Sequence, residues 1–174
     1  EMRPDAWRPF ASVEHFAVEP PGFVWDARIR MAPLVAVRVR DSYLAGEGAM
    51  RASAAAVVPV VNQRGTRAMA EASLQRYLAE AAWVPAALLP GAGVAWAPLD
   101  DSTARATLTD HGVTASVDFH FGAGGGIVRT SAIRNRDVDG TPVPTLWVGR
   151  HRDYARIAGT MVPTVGEVEW VLPD

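Results

Sequence analysis

Residues 74–90 read L-Q-R-Y-L-A-E-A-A-W-V-P-A-A-L-L-P, the one substantial helical stretch in a chain that otherwise reads as strands and turns. Thr66 suits the N-cap of this helix after the Gly65 turn, and Pro85 ends it, because proline pushes the preceding residue away from helical geometry. The span 66–84 makes about five turns. At about 100° per residue, Ala70, Leu74, Tyr77, Leu78 and Ala81 form a core stripe. Met69, Ser73, Arg76, Glu80 and Trp83 cluster on the opposite side, leaving an exposed strip around Glu71, Gln75 and Ala79. A helix with apolar groups on two sides is covered on two sides. This predicts an α+β fold: a strongly bent antiparallel sheet, half-barrel or barrel, of about eight strands wrapped around the 66–84 helix. Arg76 and Glu80 would pair inside a pocket or at its rim.

Composition bounds the chemistry. The chain has 174 residues, which suits a single domain with a real core, and a formal net charge of −2. That charge argues against a general nucleic-acid or anionic-membrane surface. There is no apolar run of the length that spans a bilayer, about 18 residues, so no transmembrane segment is expected. The opening E-M-R-P-D-A-W has neither the basic start nor the apolar core of a signal peptide. Because the first residue is not methionine, a trimmed start is expected and the compartment stays open. All 17 basic residues are arginines, a composition typical of GC-rich coding. Without lysine, Schiff-base and pyridoxal-phosphate mechanisms are excluded. Without cysteine, thiol nucleophiles, disulfides, cysteine-type zinc sites and cysteine-ligated iron–sulfur clusters are excluded as well. No cofactor is expected.

Around the helix the chain reads as follows. Residues 1–22 carry Trp7, Phe10 and Phe16 and form an arm packing aromatics onto the body. Phe23 to Met31 alternates, with Phe23, Trp25, Ala27 and Ile29 on one face and Asp26, Arg28 and Arg30 on the other. Leu34 to Arg40 repeats that pattern with Arg38 and Arg40 outward. Asp41 to Gly48 reads as a turn or a kinked continuation of the strand, and Gly46 and Gly48 suit a bulge. Ala49 to Asn62 reads as a long bent strand that Pro59 limits to an edge or a break. A meander over 94–172 follows the helix, with Asp110-His111-Gly112 as a tight turn and separate strands at Val143–Gly149 and Tyr154–Met161.

The run R-Y-L-A-E-A-A-W-V-P-A-A-L-L-P at 76–90 resembles the signature of an uncharacterised bacterial family, a domain of unknown function. Further matches are F-V-W-D-A at 23–27, R-D-S-Y-L-A-G-E-G-A-M at 40–50, W-A-P-L-D-D-S-T-A-R-A at 96–106 and P-T-V-G-E-V-E-W at 163–170. The resemblance covers nearly the whole chain and implies that the usual sequence starts earlier and runs beyond Asp174. It brings no activity. In layout it is similar to the half-barrel carriers of lipoproteins and lipids, an analogy of fold alone.

Candidate chemistry centres on Arg76, Glu80 and Trp83. A guanidinium held by a carboxylate can present a fork to a ligand carboxylate or carbonyl, with Trp83 as a stacking wall; a structural ion pair is the plainer alternative. Asp41 and Tyr43, with Glu47, lie near the glycine-rich bend. His120 faces away from Phe119 and Phe121 and has the chemistry of a base, although a strand histidine on a wet face is the commoner case. His151, in R-H-R-D-Y, reads as the polar end of a hairpin. The four histidines share no metal-ligand spacing. The run G-A-G-G-G at 122–126 lies between strands and reads as a flexible hairpin tip rather than a phosphate loop. Of six tryptophans, Trp25, Trp83, Trp96 and Trp147 are the candidates to line one cavity.

Three functions fit. The first is a binding module enclosing a small hydrophobic molecule or acyl chain, with Arg76 at its polar end. The second is a cofactor-independent enzyme, such as a cyclase, isomerase or dehydratase, with Glu80, Asp41, Tyr43 or His120 supplying acid–base catalysis. The third is an interaction domain whose helix meets a partner protein.

Overall fold

A computed structural model describes residues 9–32, 35–54 and 58–172. Trp7, Leu34 and the centre of the expected 49–62 strand lie outside the described residues. The chain falls into two compact units, 1–73 and 74–174, with the boundary inside the main helix. Among the described residues eleven strands, rather than about eight, form two antiparallel sheets. The order is β1-β2-β3-β4-β5 in one and β11-β10-β9-β8-β7-β6 in the other, and neither sheet closes into a barrel.

In the first unit, β1 (Phe10–Ala17) pairs with β2 (Gly22–Ala32), so the segment expected as an arm is a strand. β3 (Val35–Leu44) runs straight through Asp41 and Tyr43, and the turn comes later, at Ala45 and Gly46 with φ of 50° and 82°. Two consecutive positive φ values give the turn whose twist matches a hairpin. β4 (Glu47–Ala54) and β5 (Val58–Arg64) pair with each other, replacing the single long strand. Gly48 is no bulge. A Cβ there would lie 2.7 Å from the Met69 carbonyl carbon and 2.7 Å from Ser73 Oγ, so glycine lets the helix backbone seat directly on β4.

α1 (Arg67–Glu80) starts as the sequence implies: the Met69 N–H donates to Thr66 Oγ1 at 3.1 Å. It stops four residues earlier than 84. Three short 3-10 turns follow, Ala81–Trp83, Pro85–Leu88 and Pro90–Ala92, the last two opened by prolines that lack the N–H a continuing helix needs. Among the described residues no helix is long and apolar enough to cross a membrane.

The second unit holds β6 (Ala95–Pro98), β7 (Thr103–Asp110), β8 (Val113–Phe121), β9 (Ile127–Val138), β10 (Thr141–Ile157) and β11 (Thr160–Val171). The His111–Gly112 turn is as expected, and Asp139–Gly140 and Ala158–Gly159 repeat its positive φ pair. β10 is one continuous strand of 17 residues rather than two short ones. Its core is buried Leu74, Tyr77, Leu78, Ala81 and Ala82 with Leu108, Val117 and Phe119. The expected exposed strip is also revised: Ala79 is buried. β8 and β9 pair from Phe121↔Ile127 to Asp118↔Ser131, so the next partners in register would be Ser116 and Ile133. Gln75 Nε2 instead donates to both of their carbonyls, at 3.1 and 3.3 Å, satisfying acceptors where the strands part.

Candidate functional site

Two hollows flank the 3-10 turns that follow α1. The larger, about 670 Å³, is walled by Ala82, Pro85, Phe121, Ile127, Val128 and Met161, with Tyr154 and the loop 122–126 completing it. The glycine run thus has a structural task beyond a hairpin tip. Gly122 and Gly126 close the loop through a 2.8 Å N–H to carbonyl bond. A Cβ on Gly126 would sit 3.4 Å from the Tyr154 ring, so the ring packs on bare backbone. The Tyr154 hydroxyl donates to the Ile127 carbonyl at 2.7 Å and keeps lone pairs that can accept from a ligand. Burial raises the Tyr154 pKa, keeping the phenol neutral.

The smaller hollow, about 230 Å³, is walled by Trp83, Val84, Pro85, Ala86, Ile157, Thr160 and Val162. Pro85 borders both. Trp83 lies over Gly166, where any Cβ would overlap its ring carbons Cζ2 and Cη2. It meets the His151 ring edge-on at 5.2 Å between centroids. His151 and Gly166 are register partners, so the indole occupies the space a side chain at 166 would take. His151 is buried, not a surface hairpin residue, because β10 continues through it and alternation turns it inward between exposed Arg150 and Arg152. Its Nε2 lies 3.2 Å from Thr130 Oγ1, and its buried Nδ1 has no hydrogen-bond partner among the described residues. Burial holds its pKa below the ordinary histidine value.

The other expected site residues are distributed as follows. Arg76 Nε donates to both Glu80 oxygens at 3.0 Å, a partly buried pair one helical turn apart. Neither residue is among the described walls of the two hollows. Asp41 and Tyr43 are buried within β3, where Asp41 is the register partner of Trp25; Trp25 in turn meets Phe10 edge-on at 6.0 Å. His120 lies on the outer face of β8 as expected, its Nδ1 3.1 Å from Thr103 Oγ1 and its Nε2 3.1 Å from Ser131 Oγ. Burial, and then Arg129, lower its pKa. Trp96 Nε1 donates to the Leu88 carbonyl at 2.9 Å and its ring packs on Phe119. Trp147 carries the Arg134 guanidinium 5.2 Å from its ring centroid. The tryptophans therefore occupy distinct neighbourhoods, and of the four only Trp83 is among the walls of a described hollow. Tyr154 and Met161 line the larger hollow and are not among the ligand contacts the sequence suggests, because they come from two strands, β10 and β11, whose meeting no local pattern encodes.

Comparison with curated proteins and with solved structures finds no match. A family model matches residues 1–174, from end to end, and the chain belongs to that family of unknown function, DUF6920.

Proposed function

We propose that the 74–174 unit binds a small hydrophobic molecule or an acyl chain in the hollow between the 3-10 turns and the 122–126 loop. The observation that carries this reading is the cavity itself. At about 670 Å³ it has the scale of a small-molecule site, and its walls are mainly apolar with one phenol at hand. Desolvating Val128, Met161, Phe121 and Pro85 against an apolar ligand supplies the affinity, and Tyr154 supplies a single oriented polar contact.

The test is fluorescence titration with cis-parinaric acid. Met161 and Val128 are both close to half exposed at the wall, so substitutions there leave the core intact. Met161→Trp fills the hollow and Val128→Glu places a charge on its wall; each is expected to weaken binding by at least about ten-fold. A wild-type protein that does not bind the probe, or variants that bind it equally well, would sink the reading.

A further inference from the structure

We propose that the outward face of β2–β5 is a binding site for a small ligand carrying two phosphate-type groups, held by Arg38, Arg40, Arg51 and Arg64. This goes beyond the apolar cavity and rests on different residues. The antiparallel register builds the face row by row. Asp26, Arg40, Arg51 and Asn62 are successive partners across four strands. Two residues along in one direction, Arg28, Arg38 and Ser53 form a second row, and two residues along in the other, Ser42, Ala49 and Arg64 form a third. A hollow of about 540 Å³ opens over these positions, walled by four arginines, Ser53, Asn62 and a single carboxylate, Asp26.

Register sets arginine against arginine twice, Arg28↔Arg38 and Arg40↔Arg51. Like charges directly opposite oppose folding, so the arrangement needs an anion to balance it. Asp26 bonds directly to one guanidinium: Arg40 Nε and Nη2 grip its two oxygens at 2.8 Å each. That bond, with further help from Arg38, holds the Asp26 carboxyl below its usual range, so it stays ionised and keeps Arg40 fixed. Arg38 shares the attraction of Asp26 without bonding to it, and among the described residues no ion pair is seen for Arg51 or Arg64. Guanidinium forks match phosphate oxygens two at a time. Neighbouring strands stand about 5 Å apart and successive rows about 7 Å apart, with Arg40 and Arg51 on the central row and Arg38 and Arg64 on either side, so the cationic positions outreach one phosphate and suit a linked pair. The chain's net charge of −2 conceals this local excess, because it averages over both units.

Calorimetric titration with inorganic pyrophosphate at low salt tests the site on the whole chain, with Arg51→Gln and Arg38→Gln as variants. Wild type is expected to bind, more weakly as salt rises. Each variant is expected to bind about ten-fold less tightly or worse. Because each substitution also removes a like-charge pair, its melting temperature without ligand is expected to match or exceed that of wild type, which separates lost binding from lost folding. Pyrophosphate should raise the wild-type melting temperature and leave that of the variants unmoved. Unchanged affinity in both variants overturns the site. So does binding only to phosphatidylglycerol vesicles or only to an oligonucleotide, which would make the face a contact for a membrane or for nucleic acid instead.

Discussion

Both sheets turn an arginine-bearing face to solvent, and the two faces differ in how many of their guanidiniums register brings to a carboxylate. On the six-stranded sheet Arg105 faces Asp118 with Nε to Oδ1 at 2.6 Å, Arg152 reaches Glu167 at 2.7 Å, and Arg150 pairs with Glu169. Hydroxyls pair likewise, Thr107 with Ser116 at 2.8 Å and Thr109 with Thr114 at 2.9 Å. That face is largely paired within itself, although register also sets Arg150 against Arg129 there. On the five-stranded sheet the same residue type meets itself across the strands, and one carboxylate serves four guanidiniums around the hollow. Arginine content therefore says little about function, and the partner that register assigns to each arginine says much more.

The units also differ in how a glycine admits its neighbour, and this gives the largest expected effect. In Gly48→Ala the new methyl meets helix backbone at Met69, which cannot rotate away; the cost is about 3 kcal/mol or more by overpacking. In Gly166→Ala the obstacle is the Trp83 side chain, 36% exposed and able to swing outward, and the cost is nearer about 1 kcal/mol. Denaturant melts of both variants check the ranking. Tryptophan fluorescence should change more in Gly166→Ala, because the indole must leave its place beside His151. A Gly166→Ala protein less stable than Gly48→Ala would mean that Trp83 is locked in place and that the contrast drawn here is false.

Much of this was legible in the residues, and the misreadings share a cause. Strict alternation in Phe23–Met31 and Val35–Arg40 revealed β2, most of β3 and the arginine face, because strand periodicity is local. The Thr66 cap was legible for the same reason. The β3–β4 turn is legible only to within Asp41–Gly48, as a turn or a kinked continuation, because Ala45 is a poor candidate for the positive φ that fixes its place. His151 was placed on the surface because its neighbours are charged, although charged residues on either side of one position are what a strand with one wet face shows. Neither hollow was legible. Each depends on residues far apart in sequence, such as Phe121 with Met161 and Trp83 with Thr160, meeting through strand order, which no local pattern encodes. The Arg76–Glu80 pair was legible from its spacing alone.

A smaller effect assigns acid sensitivity to the 74–174 unit. Burial depresses the His151 pKa, and burial with Arg129 depresses that of His120. Between those lowered values and the ordinary histidine value of about 6.5 the unfolded chain binds more protons than the folded one. The stability due to the neutral rings is therefore fully present above about pH 6.5 and is lost as pH falls below it. In His151→Gln part of that dependence disappears, so its melting temperature should lie furthest below wild type at about pH 8 and approach it by about pH 5.5. A gap that stays constant with pH would show that His151 titrates alike in the folded and unfolded chain, and a gap that widens as pH falls would show that the folded protein holds the ring as a cation.

The smallest effect discriminates most sharply between the two faces, because it rests on sign rather than size. Arg105→Gln removes one partner of a matched exposed pair and should lower stability by about 0.5 kcal/mol, since solvent screens the attraction and Asp118 remains hydrated. Arg51→Gln removes one partner of a mismatched pair and should raise stability by about 0.2 to 0.5 kcal/mol. Added salt should shrink both changes toward zero, because each is Coulombic and exposed. Thermal melts at low and high salt on the two single variants and the double variant measure this. The sites lie on different sheets, so the double variant should show the plain sum. If Arg51→Gln destabilises the protein at low salt, Arg51 is making a favourable contact in the free protein. The arginine face would then be as well paired as its counterpart, and the case for an anion there would lose its physical basis.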